Sequence, residues 1–294
     1  MLLLDGKKVR DEITKDLRVK IGGFLAKPKL AILQVGDNKE SAAYILQKKA
    51  FGESVGVVVQ HVQLAAEVSL PELLSAVQQF NNDRTVHGII LQLPIPAHFE
   101  RQKLIDAVAP EKDVDGLTSA QAAARKQGRK GAVTPATARG VLKLLQFYQI
   151  LIQGKKAAVL GRSTLVGMPT AEALRKAGAE VTVCHSETPN IKEITKTSDI
   201  VVVAIGKPRL IDSDYFRGDR TQTVVDVGIT AVTEKGEERL EEEIPKRRLV
   251  GDVDFEAVKD MVAAISPVPG GVGPMTVAAL FENLVSAYER HVDH

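Results

Sequence analysis

The chain has no tryptophan, a single cysteine and few aromatic residues (4%), and charge of neither sign is in clear excess. The lone thiol, Cys184, excludes an internal disulfide framework and a zinc site built from cysteines, and it suits a reducing compartment. Lysine and arginine together number 39 against 37 aspartates and glutamates, for a formal net charge of +2. No general field therefore draws the protein to nucleic acid or to an anionic membrane surface, and any anion must be bound locally. Long apolar runs are missing as well. Met1-Leu2-Leu3-Leu4 stops at Asp5-Gly6-Lys7-Lys8, too short for the apolar core of a signal peptide and far too short to span a bilayer. The cytoplasm is the expected compartment. No fixed-period repeat or low-complexity tract occurs, no metal-ligand spacing is found, and the mixed-charge stretch from Glu234 to Arg248 reads as a solvated loop and helix face.

What is present is a chain of 294 residues, 44% hydrophobic, able to bury a sizeable core and long enough for two domains. Apolar runs of strand character recur at 30–35, 55–59, 88–93, 157–160, 181–183, 200–204 and 223–227. Their β-branched richness and flanking glycines fit strands buried on both faces, as in parallel sheets. Helical spacing separates them at Leu70–Phe80 and at Ala171–Gly178, the second closing on a glycine suited to a C-cap. This alternation predicts an α/β protein: two α/β domains with mostly parallel sheets, the second a Rossmann-type dinucleotide-binding domain. The junction falls in the segment from Thr134 to Ile150, giving a first domain over 1–139 and a second over 140–274. A final helix over 275–294 follows the glycine-proline loop and is expected to pack back onto the first domain.

Ala157-Ala158-Val159-Leu160-Gly161-Arg162-Ser163-Thr164-Leu165-Val166-Gly167-Met168-Pro169 reads as strand, glycine turn and helix start. That order aims backbone N–H groups and the positive end of a helix at a phosphate, and the glycines allow close approach. Ser163 stands where the middle glycine of the usual fingerprint would be, so on sequence alone a turn that merely packs a helix on a strand also fits. The next strand ends at Cys184-His185-Ser186 and lacks the acid that usually binds the ribose 2′-hydroxyl of NAD. Arg162, His185 and Ser186 can instead donate to the 2′-phosphate of NADP, the expected cofactor. Glu187, one residue further on, keeps the ribose role open.

Upstream, Ser41, Tyr44 and Lys48 fall on one face of a helix, which presents a phenol and an ammonium together. By spacing alone, a half-buried tyrosine beside a solvent-facing lysine is the commoner meaning of this pattern. Gln92 lies at the carboxyl end of an expected strand, in Leu91-Gln92-Leu93-Pro94-Ile95-Pro96, where ligands of open α/β sheets gather. Pro110-Glu111-Lys112-Asp113-Val114-Asp115-Gly116 sets two carboxylates at a glycine turn. The loop Ser266-Pro267-Val268-Pro269-Gly270-Gly271-Val272-Gly273-Pro274-Met275-Thr276 specifies a stiff backbone that a ligand could approach closely.

Taken in order along the chain, these motifs resemble the bifunctional methylenetetrahydrofolate dehydrogenase/methenyltetrahydrofolate cyclohydrolase family, the FolD family, over essentially the whole sequence. The resemblance implies a folate site in a cleft between the domains, NADP in the second domain, and a homodimer formed through that domain. It implies that Lys48 is the lysine of the cyclohydrolase reaction, that Tyr44 covers the folate and tunes that lysine, and that Gln92 orients it. Asp115 corresponds to the carboxylate that holds the pterin ring, and Val268, Pro269, Gly270 and Gly271 to a loop lining the folate site. Gly161, Arg162, Ser163, Gly167, His185, Ser186, Ile229 and Thr276 correspond to dinucleotide positions. One departure stands out: the family's Cys-Thr-Pro-x-Gly reads Val133-Thr134-Pro135-Ala136-Thr137 here, and the threonine for glycine is harmless only if the backbone there is ordinary.

The activity so implied is NADP-dependent oxidation of 5,10-methylenetetrahydrofolate to the methenyl cation, followed by hydrolysis to 10-formyltetrahydrofolate, in one-carbon metabolism that feeds purine biosynthesis. Oxidation asks mainly for alignment, whereas ring opening needs proton transfer. Lys48 serves either as a general base, if its amine is driven neutral, or as a proton donor. A shikimate-type NADP dehydrogenase of the same two-domain plan, and a catalytically silent folate- or nucleotide-binding regulator, are the alternatives.

Overall fold

In the computed structural model, residues 1–233 and 247–292 are described; the 234–248 stretch read above as a solvated loop lies outside them apart from Arg247 and Arg248. The first part of the chain runs β1 (Leu2–Leu3), α1 (Gly6–Gly22), β2 (Lys29–Val35), α2 (Lys39–Val55), β3 (Val58–Leu64), α3 (Leu70–Asn82), β4 (Gly88–Leu91), α4 (Arg101–Ile105), α5 (Ser119–Lys126) and α6 (Ala136–Phe147). The second part runs β5 (Lys156–Leu160), α7 (Gly167–Lys176), β6 (Glu180–Cys184), α8 (Ile191–Thr197), β7 (Ile200–Val203), β8 (Thr223–Asp226), β9 (Thr230–Thr233), β10 (Arg247–Val250), α9 (Phe255–Val258), β11 (Ala264–Ile265) and α10 (Val272–Val292). No described helix is long and apolar enough to cross a membrane.

The chain divides into two compact units, one of residues 1–10 and 137–276 and the other of residues 11–136 and 277–294. The first ten residues were expected in the folate-binding domain and belong instead with the dinucleotide-type sheet. The cause is β1, which pairs Leu2 with Ala264 and Leu3 with Ile265 at the sheet edge. That pairing spans almost the full sequence and has no local signature.

The unit of residues 11–136 and 277–294 is built on a three-stranded parallel sheet ordered β3-β2-β4. Its central strand, Lys-Leu-Ala-Ile-Leu-Gln-Val, is buried from Leu30 through Val35, as a continuous apolar run covered on both faces should be. Helix α3 opens with a capping box, Ser69 and Glu72 each bonding the other's backbone N–H, and turns Leu73, Val77 and Phe80 inward. The C-terminal helix completes this core: Phe281 is fully buried and its ring lies 5.0 Å from that of Phe51.

The other unit carries a six-stranded parallel sheet ordered β1-β11-β8-β7-β5-β6. From β5 the chain passes through α7 to β6 on one side, then through α8 back across to β7 on the other. The order therefore reverses between β5 and β7, and their carboxyl ends form the switch-point crevice in which such sheets bind dinucleotides. Both strands are buried along most of their length, Ala157–Leu160 and Ile200–Val203.

Candidate active site

In the unit that carries α2, the helix begins at an Asn38 cap whose side chain accepts from the Ser41 N–H. Ser41 in turn donates its hydroxyl to the Leu93 carbonyl at 3.2 Å, which ties this helix to the end of β4. One turn and two turns further on come Tyr44 and Lys48. The Lys48 Nζ donates to Gln92 Oε1 at 2.8 Å, while the Gln92 amide donates to the Leu93 carbonyl at 2.8 Å. Gln92 is 7% exposed and its N–H extends the ladder to Leu33, so its side chain cannot wander. The helix lysine and the strand-end glutamine, separated by 44 residues, thus form one polar pair.

Lys112, Asp113 and Asp115 divide the work of their loop. Lys112 donates to the carbonyls of Phe80, Asn81 and Asp83 at 3.0, 2.7 and 2.7 Å, closing the C-terminal end of α3. Asp113 accepts from the N–H groups of Gly116 and Thr118 at 2.8 Å, and so shapes the turn. Gly116 needs to be glycine: its φ is +72° and the backbone of Pro135 and Val133 lies against it. With its neighbours committed, Asp115 is the carboxylate left for the site. It lies within electrostatic reach of Lys48.

Burial holds the Lys48 amine below the ordinary lysine range, against the opposing pull of Asp115. Burial likewise pushes the Asp115 carboxyl up, opposed by Lys48 and assisted by Asp113. Both residues retain some surface, but their ionisable ends are withdrawn from water, and each is drawn toward its neutral form. A lysine poised to lose its proton beside an oriented amide and a carboxyl is suited to moving protons. Tyr44, 39% exposed on the same helix, is the aromatic of the group.

Three residues that sequence reasoning passed over hold this loop. Asn283 donates to the carbonyls of Val114 and Thr134 at 2.9 and 3.0 Å. Gln121 accepts from the Val133 N–H at 2.8 Å, and Arg125 donates to the carbonyls of Gly116 and Val133 at 2.8 and 2.9 Å. Their roles depend on contacts that no local motif marks. The unusual Val133 is buried with its backbone tied at both ends. Thr137 sits inside α6 and is not among the residues of positive φ, so replacing the family's glycine costs no backbone strain.

In the other unit, Gly161 follows β5 with φ +115°, and a side chain there would overlap the Ala204 carbonyl. At Gly167 a side chain would overlap the Gly161 carbonyl. Both glycines therefore permit a tight turn at the switch point, the shape that a pyrophosphate cradle requires. Ser163, the misfit in the fingerprint, accepts from the N–H groups of Val166 and Gly167 at 3.2 Å each. Its hydroxyl braces the turn that leads into α7, where a glycine would offer those two N–H groups no side-chain acceptor.

His185 and Ser186 follow β6, next to Glu187. The Glu187 N–H donates to His185 Nδ1 at 3.3 Å. The same glutamate reaches Arg162, with Nη2 and Oε2 3.7 Å apart. The expected cluster of 2′-phosphate donors thus contains one exposed carboxylate. Val268–Gly271 and Thr276 belong to this unit as well. Gly270, at φ +112°, offers its carbonyl to the Gly6 N–H at 2.9 Å, and Thr276 Oγ1 lies 3.4 Å from Thr137 Oγ1. Ile229, 36% exposed, follows β8.

Residues 4–115 match the model of the tetrahydrofolate dehydrogenase/cyclohydrolase catalytic domain, and residues 135–292 that of the NAD(P)-binding domain of the same family. The bifunctional protein FolD of Rickettsia typhi is 39% identical, over 99% of this chain and 98% of its own. The crystal structure of a Campylobacter jejuni FolD dehydrogenase/cyclohydrolase superposes with a TM-score of 0.89 at 38% identity, covering 99% of both chains. That of the Trypanosoma brucei FolD enzyme, complexed with NADP and an inhibitor, gives 0.92 at 34% identity over 100% of this chain and 99% of the other. Shikimate dehydrogenase from Aquifex aeolicus reaches only 0.52 at 16% identity over 92% of this chain and 100% of its own, a likeness of fold alone. With both domains of one family matched and the lysine, glutamine and aspartate gathered in the first, the chain belongs to the tetrahydrofolate dehydrogenase/cyclohydrolase family.

Proposed function

We propose that this protein oxidises 5,10-methylenetetrahydrofolate with NADP and then hydrolyses the methenyl product to 10-formyltetrahydrofolate, with Lys48, Tyr44, Gln92 and Asp115 as the folate-side residues. The observation that carries the assignment is the 2.8 Å bond from Lys48 Nζ to Gln92 Oε1, made by an amine that burial drives toward neutrality.

A solvated lysine, with a reference pKa of about 10.4, is neutral in only about one molecule in 2,500 at pH 7, and each unit of depression raises that fraction tenfold. Lys48 can then accept a proton from the water that adds to the methenyl carbon, becoming ammonium as the C–O bond forms. Cleavage of the ring C–N bond follows, the departing nitrogen taking up a proton. Gln92 fixes the amine by accepting one of its hydrogens, which aims the remaining lone pair or N–H bonds. Asp115 holds the pterin, and Tyr44 stacks over it.

Bound NADP supplies the hydride acceptor for the oxidation. The turn from Gly161 to Gly167, with Ser163 within it, would hold its pyrophosphate. Arg162, His185 and Ser186 would hold the 2′-phosphate, and Ile229 and Thr276 would line the dinucleotide site. The reading extends to a homodimer and a cytoplasmic place in one-carbon metabolism, where 10-formyltetrahydrofolate serves purine biosynthesis. It also takes residues 1–139 and the C-terminal helix as the folate domain and 140–274 as the dinucleotide domain, amended by the docking of residues 1–10 on the second. Turnover of methylenetetrahydrofolate with NADP and with NAD, following NADPH and the methenyl compound separately, tests it. Shikimate as the preferred substrate, or binding of both ligands without turnover, would overturn it.

A further inference from the structure

Two buried carboxylates stand behind the dinucleotide turn and take no part in the chemistry above. Asp226 ends β8 and is 3% exposed; Asp252 follows β10 and is fully buried. They form a relay of loop anchors. Asp226 Oδ1 accepts from the N–H groups of Gly228 and Asp252 at 3.0 and 3.1 Å, and its Oδ2 from Val253 at 2.9 Å. Asp252 Oδ2 passes the support on, accepting from the N–H groups of Ile205 and Gly206 at 2.6 and 2.8 Å. The two glycines beside them make room, since a side chain at Gly251 would overlap the Asp226 carboxylate and one at Gly228 the Asp252 carboxylate.

The turn that Asp252 holds leaves the carboxyl end of β7, and its Ala204 carbonyl is the group against which Gly161 is packed. The Ala204 N–H in turn bonds the Leu160 carbonyl at 2.8 Å. Asp252 therefore buttresses one wall of the switch-point crevice while Gly161 forms the other. Its second oxygen, Oδ1, is buried without a hydrogen-bond partner among the described residues. A buried carboxylate oxygen so placed is costly, and a residue whose only task was to cap two N–H groups could be an uncharged asparagine. The carboxyl group stands where the turn that leaves β7 packs on the glycine turn after β5.

We propose that Asp252, itself held by Asp226, is a positioning residue for the dinucleotide: it sets the Ala204–Gly206 turn against Gly161 and so governs cofactor binding and oxidation without touching ring opening. The inference rests on the cofactor reading above. Ring opening needs no dinucleotide, and its proton-moving residues Lys48, Gln92 and Asp115 belong to the other unit, so hydrolysis reports on that unit while the melting temperature reports on folding of the unit that carries Asp252.

The test uses the full-length Asp252→Asn protein, with Gly228→Ala as a second variant that displaces the carboxyl group without removing it. Titration calorimetry with NADP, steady-state oxidation, and hydrolysis of methenyltetrahydrofolate without dinucleotide are measured on each. The expected result is a rise of about tenfold or more in both the NADP dissociation constant and the cofactor KM, with hydrolysis within about twofold of the parent. Unchanged NADP binding and KM in both variants would overturn the proposal. So would a parallel loss of both activities with a lowered melting temperature, which would make the pair a support of the whole fold. A parent protein that neither binds NADP nor oxidises the folate would instead remove the cofactor reading itself.

Discussion

Replacing Lys48 with glutamine separates the two chemistries most cleanly. Glutamine can still donate an amide N–H toward Gln92 Oε1, so the bond of 2.8 Å that positions residue 48 has a substitute, but nothing at that place can gain or lose a proton. General acid–base assistance contributes about 10²–10⁴-fold, and hydrolysis of the methenyl compound should fall by that factor, toward the spontaneous rate. Oxidation asks for alignment and should remain measurable. It should not be untouched, because the Lys48 ammonium is the group that opposes the upward shift of the Asp115 carboxyl, and its loss favours the protonated acid. The assay follows near-ultraviolet absorbance of the methenyl compound and NADPH formation separately at several pH values. Accumulation of the methenyl product during oxidation is the expected sign. Hydrolysis by Lys48→Gln at the parent rate, above the spontaneous background, would take Lys48 out of the mechanism and leave Tyr44 as the candidate.

Asp115→Ala should impair both reactions, each by roughly 10–150-fold, as expected when a charge-assisted hydrogen bond of about 1.5–3 kcal/mol to the substrate is lost; kcat/KM for oxidation and for hydrolysis checks this, and loss of one alone would refute it. NADP should outperform NAD by at least about tenfold in kcat/KM, about 1.4 kcal/mol, and Glu187→Gln should widen the gap severalfold by freeing Arg162 from a carboxylate 3.7 Å away. The Glu187 effect should shrink as salt is raised, and an equal change with NAD would contradict it. Asp226 is pushed up to about 7 from 3.8, chiefly by burial, so its folded state favours the proton. Its contribution to stability is whole below about pH 4 and is lost as pH rises through about 7, by roughly 4 kcal/mol at most. Thermal unfolding between pH 5 and 8 should therefore show a decline that Asp226→Asn flattens, and an equal decline in the variant would refute the assignment.

Much of the fold could be read from apolar runs, since six of the seven proposed strands coincide with observed ones to within a few residues. The run at 55–59 did not. Helix α2 continues to Val55, Gly56 closes it at φ +86°, and the strand begins at Val58. A short apolar run does not distinguish the last turn of a helix from a strand, and the glycine was the better signal. Strands β1 and β11, of two residues each, carry too little pattern to be found without the sheet that receives them. At the site, helical spacing aligned Tyr44 with Lys48, but the meeting of Lys48 with Gln92 is a tertiary fact that entered through the family resemblance alone. Ser163 shows the converse: an apparent defect in the glycine fingerprint is a brace of the turn before α7 once its two N–H partners are seen. Asn283, Gln121 and the Asp226–Asp252 relay left no trace in local sequence, because polar side chains that bond distant backbone groups follow no period.

The bifunctional assignment is tested most directly by a single progress curve of the unmodified protein with 5,10-methylenetetrahydrofolate and NADP, recording NADPH, the methenyl compound and 10-formyltetrahydrofolate together. NADPH and 10-formyltetrahydrofolate should form in equal amounts once any transient methenyl compound has been consumed, with hydrolysis well above the spontaneous rate. NADPH formation accompanied only by methenyl compound that decays at the spontaneous rate would contradict the role given to Lys48, and binding without any NADPH would contradict the enzyme.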